Sequence, residues 1–199
     1  MKLNFYKSNY HKRGMIMKKL LCLTLSLFTG AVFAVDVENY FPDGSLDKPS
    51  DNVLGIIEVK ESKPLVGKAG FEKIAVFEKD GGVNNSGCVK VTIDPTMLAT
   101  AATHNATGLY IQTSNKECKH VIITFDAKWG NAEGGTVTVC RLWGSCEPQK
   151  VNLTGDWQKQ EVELSSEHPI GAIIFSTLYN ADNKGGTFYI DNINVKKAE

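Results

Sequence analysis

From residue 73 onward the chain is dominated by short runs in which apolar and polar residues alternate. The clearest are KIAVFEK (73–79), GCVKVTID (87–94), TGLYIQTS (107–114), HVIITFDAK (120–128), GTVTVCRLW (135–143), KQEVELS (159–165), GAIIFSTLY (171–179) and TFYIDNINV (187–195). A period of two is the period of a strand with one buried face. The segments KDGGVNNSG, WGNAEGG and NADNKGG lie between these runs and have the Gly, Asn and Asp content of turns. Past the leader discussed below, no segment keeps a helical apolar period for three turns. About eight strands without intervening helices predict an all-β fold, a β-sandwich of the jelly-roll type. Residues 48–70 read as long loops with one strand near Val53–Val59.

The alternation also assigns faces. Val121, Ile123, Phe125 and Ala127 should point inward, with Ile122, Thr124, Asp126 and Lys128 opposite. Val137 and Val139 should point inward from the next strand. Leu109 and Ile111 point one way, Tyr110 and Gln112 the other. The last run breaks its own rule: Phe188 and Ile190 share a face, and so do Ile193 and Val195, but the step from 190 to 193 is odd. An irregularity at Asp191-Asn192 is therefore expected.

The first residues stand outside this pattern. Lys18-Lys19, the apolar run Leu20–Phe28 and the small residues around Val32-Phe33-Ala34 have the order of a secretory signal peptide. Met15 or Met17 is the more natural start of that leader. Residues 1–34 are read as leader and signal peptide, residues 35–199 as one domain, exported to the periplasm or beyond the cell. The apolar run is much shorter than the ~20 residues of a spanning helix, so no membrane span is expected. All six leader charges are basic, which leaves sixteen basic against twenty-two acidic residues in the domain, a net of −6. An acidic domain with Arg141 as its sole arginine is unsuited to phosphate backbones, and nucleic acid is excluded as a partner.

Four cysteines remain after cleavage, an even number in an exported chain, and read as disulfides. Cys140 and Cys146 bracket the short loop RLWGS and are expected to pair, leaving Cys88 for Cys118.

The opening of the domain, N-Y-F-P-D-G-S-L-D (39–47), resembles the "NLLPNGSFE" start of galactose-binding-like jelly rolls. These include the carbohydrate-binding modules of families four, nine and twenty-two. The resemblance continues through SGCVKVT (86–92), ITFDAKW (123–129), VNLTGDWQKQEVEL (151–164) and TFYIDNINV (187–195). It implies a structural calcium ion held by Asp47 and Asp191, with Asp47 standing where the family usually has Glu. Calcium favours six to eight hard oxygens, and loop carbonyls complete what two carboxylates begin.

The resemblance also implies non-covalent binding of a polysaccharide or oligosaccharide. Sugars are held by flat aromatic rings with amides and carboxylates around them. The candidates are Trp143 in the CRLWGSC loop, Trp129 beside a Gly-rich turn, Tyr110, Gln112 and Asp126 on outward strand faces, and Tyr179 and Asn180 at the NADNKGG turn. Trp157 matches the family's structural tryptophan and is expected in the core. Separate glycoside hydrolases or cell-surface components are the further partners considered. The alternative is a structural or adhesive surface protein that uses the sandwich for protein contacts. An enzyme is disfavoured, a glycoside hydrolase included: His104, His120 and His168 are scattered without a nucleophile motif. No glycine-rich phosphate loop or HExxH pattern occurs either.

Overall fold

The computed structural model describes residues 38–57, 65–66, 74–94, 107–142, 146–177 and 185–199. All fall in the second of the two units into which the chain divides, Val37–Glu199. The strands are β1 (Val53–Ile57), β2 (Leu65–Val66), β3 (Ala75–Glu78), β4 (Cys88–Ile93), β5 (Gly108–Gln112), β6 (His120–Trp129), β7 (Gly135–Arg141), β8 (Gln149–Leu153), β9 (Gln158–Ser165), β10 (Ala172–Ser176) and β11 (Gly186–Lys197). Each of the eight alternating runs overlaps one of them. The strand expected over Val53–Val59 is described to Ile57. No helix among the described residues is long and apolar enough to cross a membrane.

The strands form two antiparallel sheets, a six-stranded one in the order β2-β1-β5-β10-β7-β8 and a five-stranded one in the order β3-β4-β11-β6-β9. From β4 to β11 the chain passes from one sheet to the other at every step but the β7–β8 hairpin. That winding is the expected all-β jelly-roll sandwich. Inward residues of both sheets build one core: Val121, Ile123, Phe125 and Ala127 of β6 meet Leu109, Ile111, Ile173 and Phe175 from the six-stranded sheet. The Phe125 and Phe175 rings meet edge-to-face, their centroids 5.2 Å apart.

The irregularity expected in the last strand is present. The register of β11 against β6 shifts between Asp191 and Asn194, and Asn192 has a φ of +50°. The shift returns Ile193 and Val195 to the face used by Phe188 and Ile190, and all four are buried. The opening segment runs along this strand: the Tyr40 N–H donates to the Val195 carbonyl at 2.7 Å and the Ile193 N–H to the Gly44 carbonyl at 2.7 Å. A Cβ on Gly44 would lie 1.6 Å from the Ile193 carbonyl oxygen, so only glycine permits this approach.

Candidate functional site

The outer face of the five-stranded sheet carries a row of side chains produced by register. Lys90 of β4 pairs with Tyr189 of β11, and Tyr189 pairs with Lys128 of β6. One step beyond the Ala127–Gln158 pair, Lys128 faces Trp157. Neighbouring strands are about 4.8 Å apart, so Lys90, Tyr189, Lys128 and Trp157 span roughly 14 Å. The Lys128 ammonium lies 4.9 Å from the Tyr189 ring centroid and 5.0 Å from that of Trp157, and Lys90 Nζ lies 5.7 Å from the Tyr189 centroid. These are cation–π distances, worth about 0.5–1 kcal/mol each at a partly exposed site. Lys90 also pairs with Glu78 at 3.6 Å, and Tyr189 and then the Glu78 carboxylate raise its pKa.

Beside the two middle members of the row a cavity of about 390 Å³ opens between two loops, lined by Lys128, Trp129, Asn131, Thr154, Asp156 and Tyr189 among others. Both loops are built from local hydrogen bonds. Asn131 Oδ1 accepts from the Glu133 N–H at 3.1 Å, and Gly134 follows with a φ of +75°. The Trp129 N–H donates to the Thr154 carbonyl at 2.6 Å and the Gly130 N–H to the Thr187 carbonyl at 2.8 Å, tying the loops to the sheet end. The cavity therefore presents two aromatic residues, an amide, a hydroxyl, a carboxylate and an ammonium, the donor and acceptor set that suits a polyhydroxylated ligand.

The expected binding residues divide between two sides of the molecule. Asp126 is on the outer face of the five-stranded sheet, where its Oδ2 accepts from Asn192 Nδ2 at 2.9 Å. Tyr110 is on the outer face of the six-stranded sheet, in a buried apolar cluster with Cys140, Leu142 and Ile174, and burial raises its phenol pKa. Gln112 follows it on the same face, exposed. Tyr110 and Gln112 therefore lie on a different sheet face from Asp126: alternation ranks residues within a strand but does not say which sheet the strand joins. Trp129 is buried at the core edge, its ring against Gly135 and Gly186, and only lines the cavity. Trp157, expected in the core, is instead half-buried over Lys128. Trp143, Tyr179 and Asn180 lie outside the described residues. Tyr189, Lys90 and Lys128 were not singled out from sequence. Their common signal is cross-strand pairing, which a one-dimensional pattern does not carry.

Asp191 is fully buried at the strand irregularity. Its Oδ2 accepts from the Val83 N–H at 2.9 Å and the Ser86 hydroxyl at 2.8 Å, and its Oδ1 from the Asn192 N–H at 2.7 Å. Burial pushes its pKa up, and these three hydrogen bonds pull against that rise. Residues 46–47 reach the same corner: a Cβ on Gly87 would lie 2.3 Å from the Leu46 carbonyl oxygen and 2.8 Å from Asp47 Cα. On the other side of that loop, a Cβ on Gly82 would lie 2.3 Å from the Gly87 carbonyl oxygen and 2.7 Å from Asp191 Oδ2. The positive-φ non-glycine residues among those described, Leu46, Asn84, Asn85 and Asn192, all lie in these segments. Asp47 itself is exposed. Among the described residues no three His, Cys, Asp or Glu side chains gather as a metal cluster. One buried carboxylate with the carbonyls of Leu46 and Gly87 in the adjoining segments is nevertheless an oxygen-only set of the kind calcium uses.

The four cysteines are free thiols, Cys88 and Cys140 buried, Cys118 and Cys146 half-buried. The expected Cys88–Cys118 pair is not brought together. Val89 pairs with Ile190 and Ile190 with Ala127, which sets Cys88 level with Asp126. Cys118 lies eight residues upstream of Asp126, roughly 25 Å along an extended chain, whereas bridged cysteines have Cα atoms within about 7 Å. Cys118 Sγ instead meets the Tyr40 hydroxyl at 3.0 Å. Cys140 and Cys146 remain electrostatic neighbours.

Fold and face together define a jelly-roll β-sandwich with an aromatic and cationic row on one sheet. No family model matches the sequence, and no curated protein matches it. Solved structures with a similar course include the second N-terminal cellulose-binding domain of a β-1,4-glucanase C from Cellulomonas fimi, 13% identical, covering 82% of this chain and 97% of that one at a TM-score of 0.49. A putative sugar binding protein from Bacteroides thetaiotaomicron is 13% identical and covers 81% of this chain and 100% of its own at a TM-score of 0.46. An exo-β-agarase is 12% identical and covers 81% of this chain but 25% of its own at a TM-score of 0.49. With identities this low, ligand choice has to be read from this chain's own side chains.

Proposed function

We propose that this protein is an exported, non-catalytic carbohydrate-binding module that holds a polysaccharide or oligosaccharide on the outer face of its five-stranded sheet. The observation that carries this reading is the row that sets Tyr189 and Trp157 on either side of Lys128, with Tyr189 and Lys128 also lining the cavity of Asn131, Thr154 and Asp156. A sugar ring stacks by its C–H face on an aromatic ring while its hydroxyls exchange hydrogen bonds with amide, hydroxyl and carboxylate. The adhesive alternative predicts a face without accessible aromatics, and Tyr189 and Trp157 are both half-buried here. Neither of the described histidines lines the cavity. His120 pairs with Glu163 on the exposed rim of the sheet, and the backbone, not the ring, of His168 contacts Ser166. Export by the leader would bring the module to separate glycoside hydrolases or to the cell surface.

Calcium belongs to the same proposal. Asp191, Asp47 and the carbonyls of Leu46 and Gly87 are the groups that would hold it, and the ion would tie the opening segment to the last strand. Stability, rather than the sugar site, is where it would act.

A glycan array with the wild-type protein, repeated with Tyr189→Ala and Trp157→Ala, tests the binding site. Retention of an unchanged binding profile by both variants removes it. A melting temperature equal in EDTA and in millimolar calcium removes the ion.

A further inference from the structure

We infer that the saccharide this face prefers is acidic, carrying a carboxylate or sulfate that Lys128 recognises. This rests on the sugar-binding reading and narrows its ligand class. Lys128 stands between two rings, with its ammonium about 5 Å from each centroid. Aromatic faces attract a cation but carry no formal charge, so they hold the ammonium in place and leave its unit charge available. Ion pairs among the described residues join Lys90 to Glu78 and His120 to Glu163, and Lys128 enters neither. Lys90 flanks Tyr189 on its other side, about two inter-strand spacings from Lys128, and is the partly neutralised member of the pair.

The acidic groups nearby define the ligand further. Asp126 shares the strand face with Lys128 but is hydrogen-bonded to Asn192, and Lys159 stands opposite it on β9. Asp156 lines the cavity beside Lys128. A small anion such as phosphate could pair with Lys128 but would leave most of the cavity's polar groups, Asn131 and Thr154 among them, without a partner from the ligand. An acidic sugar instead brings hydroxyls that donate to Asp156 and an anionic group for Lys128, so both charges are matched by one ring. On a domain of net charge −6, a cation fixed in a cavity is also a local reversal of the prevailing field.

The test is calorimetric titration of the protein with an oligogalacturonate, a sulfated chondroitin oligosaccharide, a neutral xylo-oligosaccharide of equal length, and inorganic phosphate. At least one acidic sugar should bind about tenfold more tightly than the neutral one at low salt, the scale of a single charge-assisted hydrogen bond. That advantage should shrink as salt rises. Lys128→Gln should remove the preference, Lys128→Arg should keep it, and Tyr189→Ala should weaken every sugar. Which acidic sugar responds separates carboxylate from sulfate. Equal affinity for acidic and neutral sugars, unchanged in Lys128→Gln, overturns the acidic preference and leaves the sugar site standing. Phosphate binding as tightly as the acidic sugars overturns it as well. Failure of every sugar to bind removes both.

Discussion

Gly186 approaches Trp129 so closely that a Cβ on the glycine would lie 2.3 Å from the indole carbon Cζ2. Its φ of +141° is a backbone angle that L side chains rarely adopt. A Cβ on Gly135 would lie 2.4 Å from the same ring. The indole thus rests against two bare backbones at the end of the core, buried, and forms a wall of the cavity and not a platform.

Gly186→Ala should therefore destabilise the protein by about 3 kcal/mol, combining backbone strain with overpacking. For a domain of this size the melting temperature should fall by about 10 °C, read by circular dichroism or calorimetry. A change within 2 °C would mean the indole has room to move aside.

Trp157→Ala and Trp129→Ala should separate binding from stability. Trp157 is half-buried over Lys128, so its removal should weaken saccharide binding about tenfold while shifting the melting temperature little. Trp129 is buried in the core cluster, and its removal should cost about 3–5 kcal/mol of stability. Parallel titration and melting curves distinguish the two.

The contrast between these tryptophans shows what was legible in the sequence. Alternation in HVIITFDAKW placed Val121, Ile123, Phe125 and Ala127 in the core because strand geometry alone dictates it. The odd step in TFYIDNINV announced the irregularity at Asp191 for the same reason. The row of rings and ammonium groups was not legible, because Lys128 and Trp157 are joined by the register of β6 against β9, and Tyr189 by that of β11 against β6. Register arises from tertiary packing and leaves no local periodicity. The same gap hid which sheet Tyr110 joins, although its outward direction followed from alternation.

Asp43 sets an acid limb of stability. The Ser50 hydroxyl donates to its Oδ2 at 2.6 Å and Asn52 Nδ2 donates at 2.9 Å, and these bonds lower its pKa below the usual value. A carboxylate whose pKa is depressed in the folded state binds fewer protons there than when unfolded. Its contribution is present above about pH 4 and is lost as pH falls through the folded-state value. Asp43→Asn should then melt below wild type near neutrality, with the gap closing towards pH 2. A gap constant from pH 7 to pH 2 would contradict this assignment.

In the reduced protein, Cys118 and Cys146 should be alkylated before Cys88 and Cys140. Burial raises the Cys88 pKa to about 11 and the Cys140 pKa to about 12, keeping both as unreactive thiols. After oxidation, peptide mapping should find a Cys140–Cys146 bridge and no Cys88–Cys118 bridge. Recovery of the latter from folded protein would overturn the strand register described above.

The slip in β11 between Asp191 and Asn194 also decides how the final strand can be seated. Its two halves turn their apolar residues inward with opposite phase, so sliding the whole strand by one position would expose both pairs of core residues at once. A two-position slide would keep the phase but carry the buried carboxylate away from the Val83 and Ser86 donors. The kink works as a keyway: the closing strand enters the middle of its sheet in one alignment, and near-miss alignments have no resting place.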